Sequence, residues 1–371
     1  MVLTNRRQDR VELEELPCSR MTRSVDAPAA FSAEYKGVIA LSIENSTNRS
    51  LLMLHTRICQ LLGIDHPIMN APMGGTATAE LAAAVSIAGG FGMIGGTSRG
   101  GAAWLREQIR LVRSHTDRPF GVGFISSFPN VDELFQVAIE ERVTAINHSF
   151  ADPTPYVKRA HDAGVLLFNQ VQTVAQARIA AQAGVDLVIA QGTEAGGHSG
   201  SIGTLSLVPA VVDAVAPIPV VAAGGIADGR GLAAVLMLGA EGAWIGTRFV
   251  ASKEWAGHEW EKQAVVAAGT DDTIRTNVYD LIYNQPFPSG IADRMLRNAY
   301  IEQWQGRDAE LFAQRRALRA QLREAEQRGD TRMAGVSAGV ASGLIQAIEP
   351  AVVIVQRIVS EAEQLLTRRS V

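Results

Sequence analysis

The 371-residue chain carries 34 Lys and Arg against 38 Asp and Glu, a formal net charge of -4, and 47% of its residues are hydrophobic. That length suits one α/β barrel with additions, and the slightly acidic balance argues against nucleic-acid capture and for a small-molecule partner. Two cysteines without a CxxC pair, Cys18 and Cys59, support neither a disulfide framework nor a structural zinc site, and the acidic residues and histidines show no ligand spacing, so no metal is expected.

The first residues, "MVLTNRRQDRVELEELPC", interleave arginine with glutamate and lack the apolar core of a secretory signal. No apolar stretch approaches the roughly 20 residues that span a bilayer, so a cytoplasmic protein without a membrane partner is expected. Residues 1–52 show no sustained periodicity and read as an irregular, disordered or loosely attached extension. Beyond it the pattern divides into a barrel over 53–269, a helical cap or insertion over 270–345, and a terminal helix over 346–371 that packs back on the barrel. Self-association as a homo-oligomer is left open.

From residue 67 apolar strands alternate with alanine-rich helical stretches. The strands are "PIMNAP" (67–72), "FGMIGG" (91–96), "PFGVGF" (119–124), "VTAINH" (143–148), "GVLLFN" (164–169), "VDLVIA" (185–190), "IPVVAA" (218–223) and "EGAWIG" (241–246). Thr or Asp stands at several helix starts and Gly at several ends, as in Ala163-Gly164, Ala183-Gly184 and Gly239-Ala240. Eight such units with this repeated punctuation predict a (β/α)8 TIM barrel rather than a doubly wound sheet. After residue 250 the period breaks. "TNVYDLIYNQPFPSG" reads as irregular, "AELFAQRRALRAQLREAEQRGD" as a charged, solvated helix, and "IEPAVVIVQRIVSEAEQLL" as a helix with one apolar stripe.

A parallel barrel delivers the C-terminal end of every strand to one rim, where active sites form. There this chain puts Ala71, Pro72 and Met73 after the first strand, Asn147 and His148 at the fourth, Asn169, Gln170 and Gln172 at the fifth, and Gln191 with "EAGGH" after the sixth. After the last two strands come Gly224-Gly225, preceded by Ala223, and Gly246-Thr247. Two successive glycine turns at the seventh and eighth strands predict a phosphate cradle, because backbone without Cβ and a helix N-terminus both favour a close anion.

The strings "HPIMNAPMGG", "AQGTEAGGHSG", "PVVAAGGIADGRGLAAVLMLGAEGAWIGTRF" and "AGVASGLI" together resemble the nitronate monooxygenases, formerly 2-nitropropane dioxygenases, from about residue 53 onward. The resemblance implies a barrel holding FMN, its phosphate on Gly224, Gly225, Gly246 and Thr247, with Met73, Gln191, Gly196 and Gly197 along the flavin. It also implies oxidation of alkyl nitronates or nitroalkanes with O2 to a carbonyl compound and nitrite, with His198 near the reacting carbon. An imidazole suits that place because its ordinary pKa, about 6.5, lets it take an α-proton near neutrality or stay charged beside an anion.

Each reading has a bland counterpart. His198 could be a loop histidine satisfied by backbone, and His148 is its rival as base or as a polar pocket contact. Glu194 reads as a loop fixative, and Tyr283 as either a pocket cap or interlayer packing. Many members of the family carry Asn in a GVN string where this chain has "GVGF", so Gly123 lacks a side-chain contact to flavin or substrate. Two other functions are weighed. An FMN- and NAD(P)H-dependent enoyl-acyl-carrier-protein reductase shares the APM and AGGI strings, and a non-catalytic phosphate-binding barrel would need no reactive imidazole.

Overall fold

A computed structural model describes residues 54–98, 100–285 and 287–368; the extension over 1–52 lies outside them. Eight strands form one parallel sheet: β1 (Ile68–Asn70), β2 (Gly92–Gly95), β3 (Phe120–Ile125), β4 (Ala145–Ser149), β5 (Leu166–Val171), β6 (Leu187–Gln191), β8 (Val220–Ala223) and β9 (Ala243–Ile245), with the short β7 (Gly197–Ser199) outside it. Neighbours run in the order β1-β9-β8-β6-β5-β4-β3-β2, and a parallel bridge between Met69 and Phe91 joins the two ends. The fold is a (β/α)8 barrel. Each expected strand is present and starts one or two residues later than expected; β3, β4, β5 and β6 run one or two residues further at their C-terminal ends.

Successive side chains on a strand point to opposite faces, so each strand feeds two cores. The barrel interior holds Met69, Phe91, Met93, Ala145, Phe168, Leu187, Ile189, Val221 and Trp244, with Ile58, Cys59 and Leu62 of the helix Arg57–Leu62 in the same cluster. The alternate residues, among them Ile68, Ile94, Ile146, Leu167, Val188 and Ala222, pack against the surrounding helices. Helix starts and stops follow local chemistry. Thr173 accepts from Gln176 N to cap Val174–Ala183, and Gly184 ends that helix at φ +88°.

The terminal helix Ala351–Arg368 packs on the helix Gly229–Met237. Gly229 permits this crossing, since a Cβ there would strike Glu361, whose Oε2 accepts from Gly229 N at 3.0 Å.

The stretch read as irregular holds regular elements, and this corrects the sequence reading. Within and around it lie β10 (Thr273–Thr276), the helix Val278–Tyr283 and β11 (Ala292–Leu296). Strands β10 and β11 are antiparallel, and β11 also pairs with β7, the strand that carries His198. Val278, Tyr279, Ile282, Met295, Tyr300, Trp304, Leu311, Leu318 and Leu322 form a separate apolar cluster. It includes residues of the charged helix, Asp308–Arg328. No helix among the described residues is long and apolar enough to cross a membrane.

Candidate active site

A cavity of about 370 Å³ opens at the C-terminal ends of the barrel strands, within the range of about 300–1,000 Å³ usual for small-molecule sites. Its walls include Ala71, Pro72 and Met73 after β1, Gln191 at the end of β6, Gly196, Gly197 and His198, then Ala223 at the end of β8 with Gly224 and Gly225 behind it, and Gly246 and Thr247 after β9. The topology thus brings every expected cofactor-contacting residue to one cavity with the expected imidazole. A depression of about 480 Å³ lies outside the barrel, lined by ion-paired side chains such as Arg230 with Asp228 and Arg248 with Glu349; the strand-end residues are not in it.

The glycines do two kinds of work. A Cβ on Gly196 would lie 2.5 Å from Gly339 N, and one on Gly224 would lie 2.9 Å from Gly192 O, so these two allow chain to pack against chain. Gly197 has nothing within 4 Å of its Cβ direction, Gly246 only Ala71 Cβ at 3.6 Å, and Gly225 only the Glu194 side chain from 3.4 Å. Those three leave bare backbone at the cavity. Both members of each pair were expected to approach a cofactor, and packing is the additional reason for Gly196 and Gly224.

Glu194 fixes the loop between β6 and β7. Its carboxylate accepts from Thr204 N and from Thr204 Oγ1, both at 2.8 Å, at the start of the helix Thr204–Val215, where an anion is favoured. Its carbonyl accepts from Val340 N, while Gly339 N donates to Thr247 Oγ1 at 3.0 Å. The "AGVASGLI" string therefore ties the β6–β7 loop to the Gly246-Thr247 turn. Gln191 is oriented by two neighbours, since its Oε1 accepts from Gln170 Nε2 at 2.8 Å and from Gln172 Nε2 at 2.9 Å. That leaves its own amide N–H groups as donors at the cavity wall.

His198 is held on two sides by the C-terminal segment. Its Nε2 lies 2.9 Å from Asp280 Oδ1, and its ring stacks on Phe287 with centroids 3.4 Å apart. Phe287 also meets Phe150 edge-on at 5.4 Å. Asp293 is directly opposite His198 in the β11–β7 register, and burial raises its carboxyl to about 6. Asp280, Asp293 and Phe287 escaped the sequence reading, because their segment carries no motif and reaches the site through strand pairing and contacts between residues far apart in the chain.

Two pocket candidates lie elsewhere. His148 follows Asn147 on β4, and Asn147 shares the interior face with Ala145, so His148 points outward, with its ring 4.6 Å from that of Tyr156. It is fully buried, both ring nitrogens lack a partner among the described residues, and burial lowers its pKa to about 4. Tyr283 donates its hydroxyl to Glu326 Oε1 at 2.8 Å and packs with the apolar cluster of the C-terminal segment, away from the cavity. Interlayer packing is the reading that fits it. No group of three or more His, Cys, Asp or Glu among the described residues is placed to hold a metal ion.

A family model described as nitronate monooxygenase matches residues 55–361. The chain belongs to the nitronate monooxygenase family. It is thereby a flavin-dependent oxidoreductase.

Several relatives frame this family member. It is 38% identical to the structure of FabK from Thermotoga maritima, with a TM-score of 0.78, covering 85% of this chain and 98% of that one. The nitroalkane oxidase from Streptomyces ansochromogenes is 28% identical, with a TM-score of 0.72 and coverage of 84% and 99%. A (3aS,4S,5R,7aS)-5-hydroxy-7a-methyl-1-oxo-octahydro-1H-indene-4-carboxyl-CoA dehydrogenase from Mycobacterium tuberculosis is 35% identical over 68% of each chain.

Proposed function

We propose that the cavity holds FMN and that the protein oxidises alkyl nitronates, or the nitroalkanes from which they form, with O2 to a carbonyl compound and nitrite. The observation that carries this reading is the convergence of two bare-backbone turns and one imidazole on a single cavity at the barrel rim.

The residues fit such a cofactor. The N–H groups of Gly225, Ile226 and Gly246 donate to no described residue, and a side chain added at Gly225 or Gly246 would project toward the space the phosphate needs. Thr247 Oγ1 accepts from Gly339 N and keeps its own hydroxyl proton for an anion. The Gln191 amide N–H groups suit a ring carbonyl or nitrogen. FMN, when bound, supplies the acceptor for the electrons of the nitronate.

The chain contributes position and proton handling. Met73, Gly197 and Phe150 line the same cavity as His198. His198 takes the α-proton of a neutral nitroalkane, whose electron pair passes into the nitro group to give the nitronate, and Asp280 offsets the charge that the imidazole gains. The test is an absorbance spectrum of the purified protein, followed by turnover of a neutral nitroalkane and its preformed nitronate by parent and His198→Asn. Retained flavin with a much larger loss on the neutral substrate supports the reading; equal turnover by parent and variant on both substrates removes His198 as base.

The likeness to FabK favours a second reading, the NAD(P)H-dependent enoyl-acyl-carrier-protein reductase weighed from the sequence. Bleaching of the flavin by NADH and reduction of a crotonyl thioester, without response to nitronate, would select it.

A further inference from the structure

The base of the proposed reaction is assembled from two parts of the chain. His198 rides on the short strand β7, three residues long, whose partner among the described residues is β11. Its orientation therefore depends on groups that arrive from the C-terminal segment. Asp280, on the helix Val278–Tyr283, meets Nε2 at 2.9 Å, and the two side chains are only 13% and 14% exposed. At that burial a hydrogen bond between carboxylate and imidazole is screened far less than at the surface. Phe287 stacks on the ring at an interplanar angle of 9°, which limits tilting. Nδ1 makes no hydrogen bond to any described residue, and the imidazole lines the cavity.

We propose that Asp280 is a positioning residue that holds His198 in the tautomer with Nε2–H donated to the carboxylate, leaving the Nδ1 lone pair as the proton acceptor facing substrate. This deepens the nitroalkane reading and rests on it for the reaction, though not for the tautomer. The alternative tautomer would put an Nε2 lone pair against a carboxylate, with no proton between two acceptors, and would spend the Nδ1 site on a proton. When the α-proton moves to Nδ1, the C–H pair delocalises into the nitro group and the resulting imidazolium faces an anionic partner already in contact. Asp293, opposite His198 in the register, has its carboxylate occupied by Ser337 Oγ at 3.1 and 3.2 Å, which leaves Asp280 as the carboxylate in contact with Nε2.

Ring 15N shifts of His198 test the tautomer directly, assigned by the signal lost in His198→Asn and measured in the protein with and without flavin. The parent should give a neutral ring protonated at Nε2, and Asp280→Asn should mix the tautomers. In turnover, Asp280→Asn should lose about a hundredfold in kcat with a neutral nitroalkane and much less with the preformed nitronate, with flavin retained; Asp280→Glu should recover part of the loss. A parent ring protonated at Nδ1, or an equal loss on both substrates, overturns the proposal. If the parent oxidises neither substrate, the reaction assignment fails while the ring shifts still decide the pairing. If Asp280→Asn does not fold, the parent spectrum decides it alone.

Discussion

The ring of Pro72 fills the space that a side chain at position 123 would need. A Cβ built on Gly123 would come within 2.6 Å of Pro72 Cβ and closer still to Cγ, with Asn147 Cβ 3.6 Å away. The glycine at position 123 is therefore a packing position as well as a missing contact, because a side chain there would meet the Pro72 ring. Gly123→Asn should act as overpacking, at a cost of about 1–3 kcal/mol, with a lower Tm and weaker flavin retention. Pro72→Ala in the same chain should restore part of both. A single variant with the Tm and flavin content of the parent would mean that the proline does not hold that space.

The division of labour between the glycines predicts two different failures. Gly246 has an ordinary negative φ of -103°, and its Cβ direction is open apart from Ala71. Gly246→Val should thus leave the Tm of the flavin-free protein nearly unchanged while sharply reducing bound flavin. Gly196→Ala should do the reverse, lowering the Tm of the flavin-free protein because its Cβ meets the Ala338–Gly339 backbone. Differential scanning with flavin quantified by absorbance reads both; full flavin in Gly246→Val would count against the phosphate assignment.

His148 predicts an acid-sensitive stability with no part in turnover. Its folded pKa, about 4, lies below the ordinary value of 6.5, so between those values the unfolded chain binds the proton and the folded chain does not. Stability is then complete above pH 6.5 and is lost as the pH falls toward 4, by on the order of 3 kcal/mol. His148→Phe, which keeps an aromatic ring beside Tyr156, should flatten that part of the Tm profile, with a gain that grows as the pH falls toward 4. Turnover at pH 7.5 should match the parent within about twofold, since the ring faces the helix layer and not the cavity. A large loss of turnover would return His148 to the list of bases.

Much of this architecture was legible in the residues. Strands such as "VDLVIA" with Gly-terminated helices between them specify a parallel barrel, and a counted barrel puts the Gly224-Gly225 and Gly246-Thr247 turns on one rim. The outward direction of His148 was also implicit, since one residue's step along β4 reverses the face and Asn147 follows Ala145 on the interior side.

The amino-acid order by itself determined the repeat, the rim and the strand-end residues brought to the cavity, because these depend on local periodicity and on glycine's lack of a Cβ. Only the folded chain decided which glycine of each pair meets backbone and which is left bare, since that depends on the neighbour that arrives in space. It likewise decided that Asp280 and Phe287, 82 and 89 residues beyond His198 in the sequence, grip its imidazole. No local pattern encodes such a contact: it follows from β11 pairing with β7, and strand pairing is a property of two segments, not of either alone.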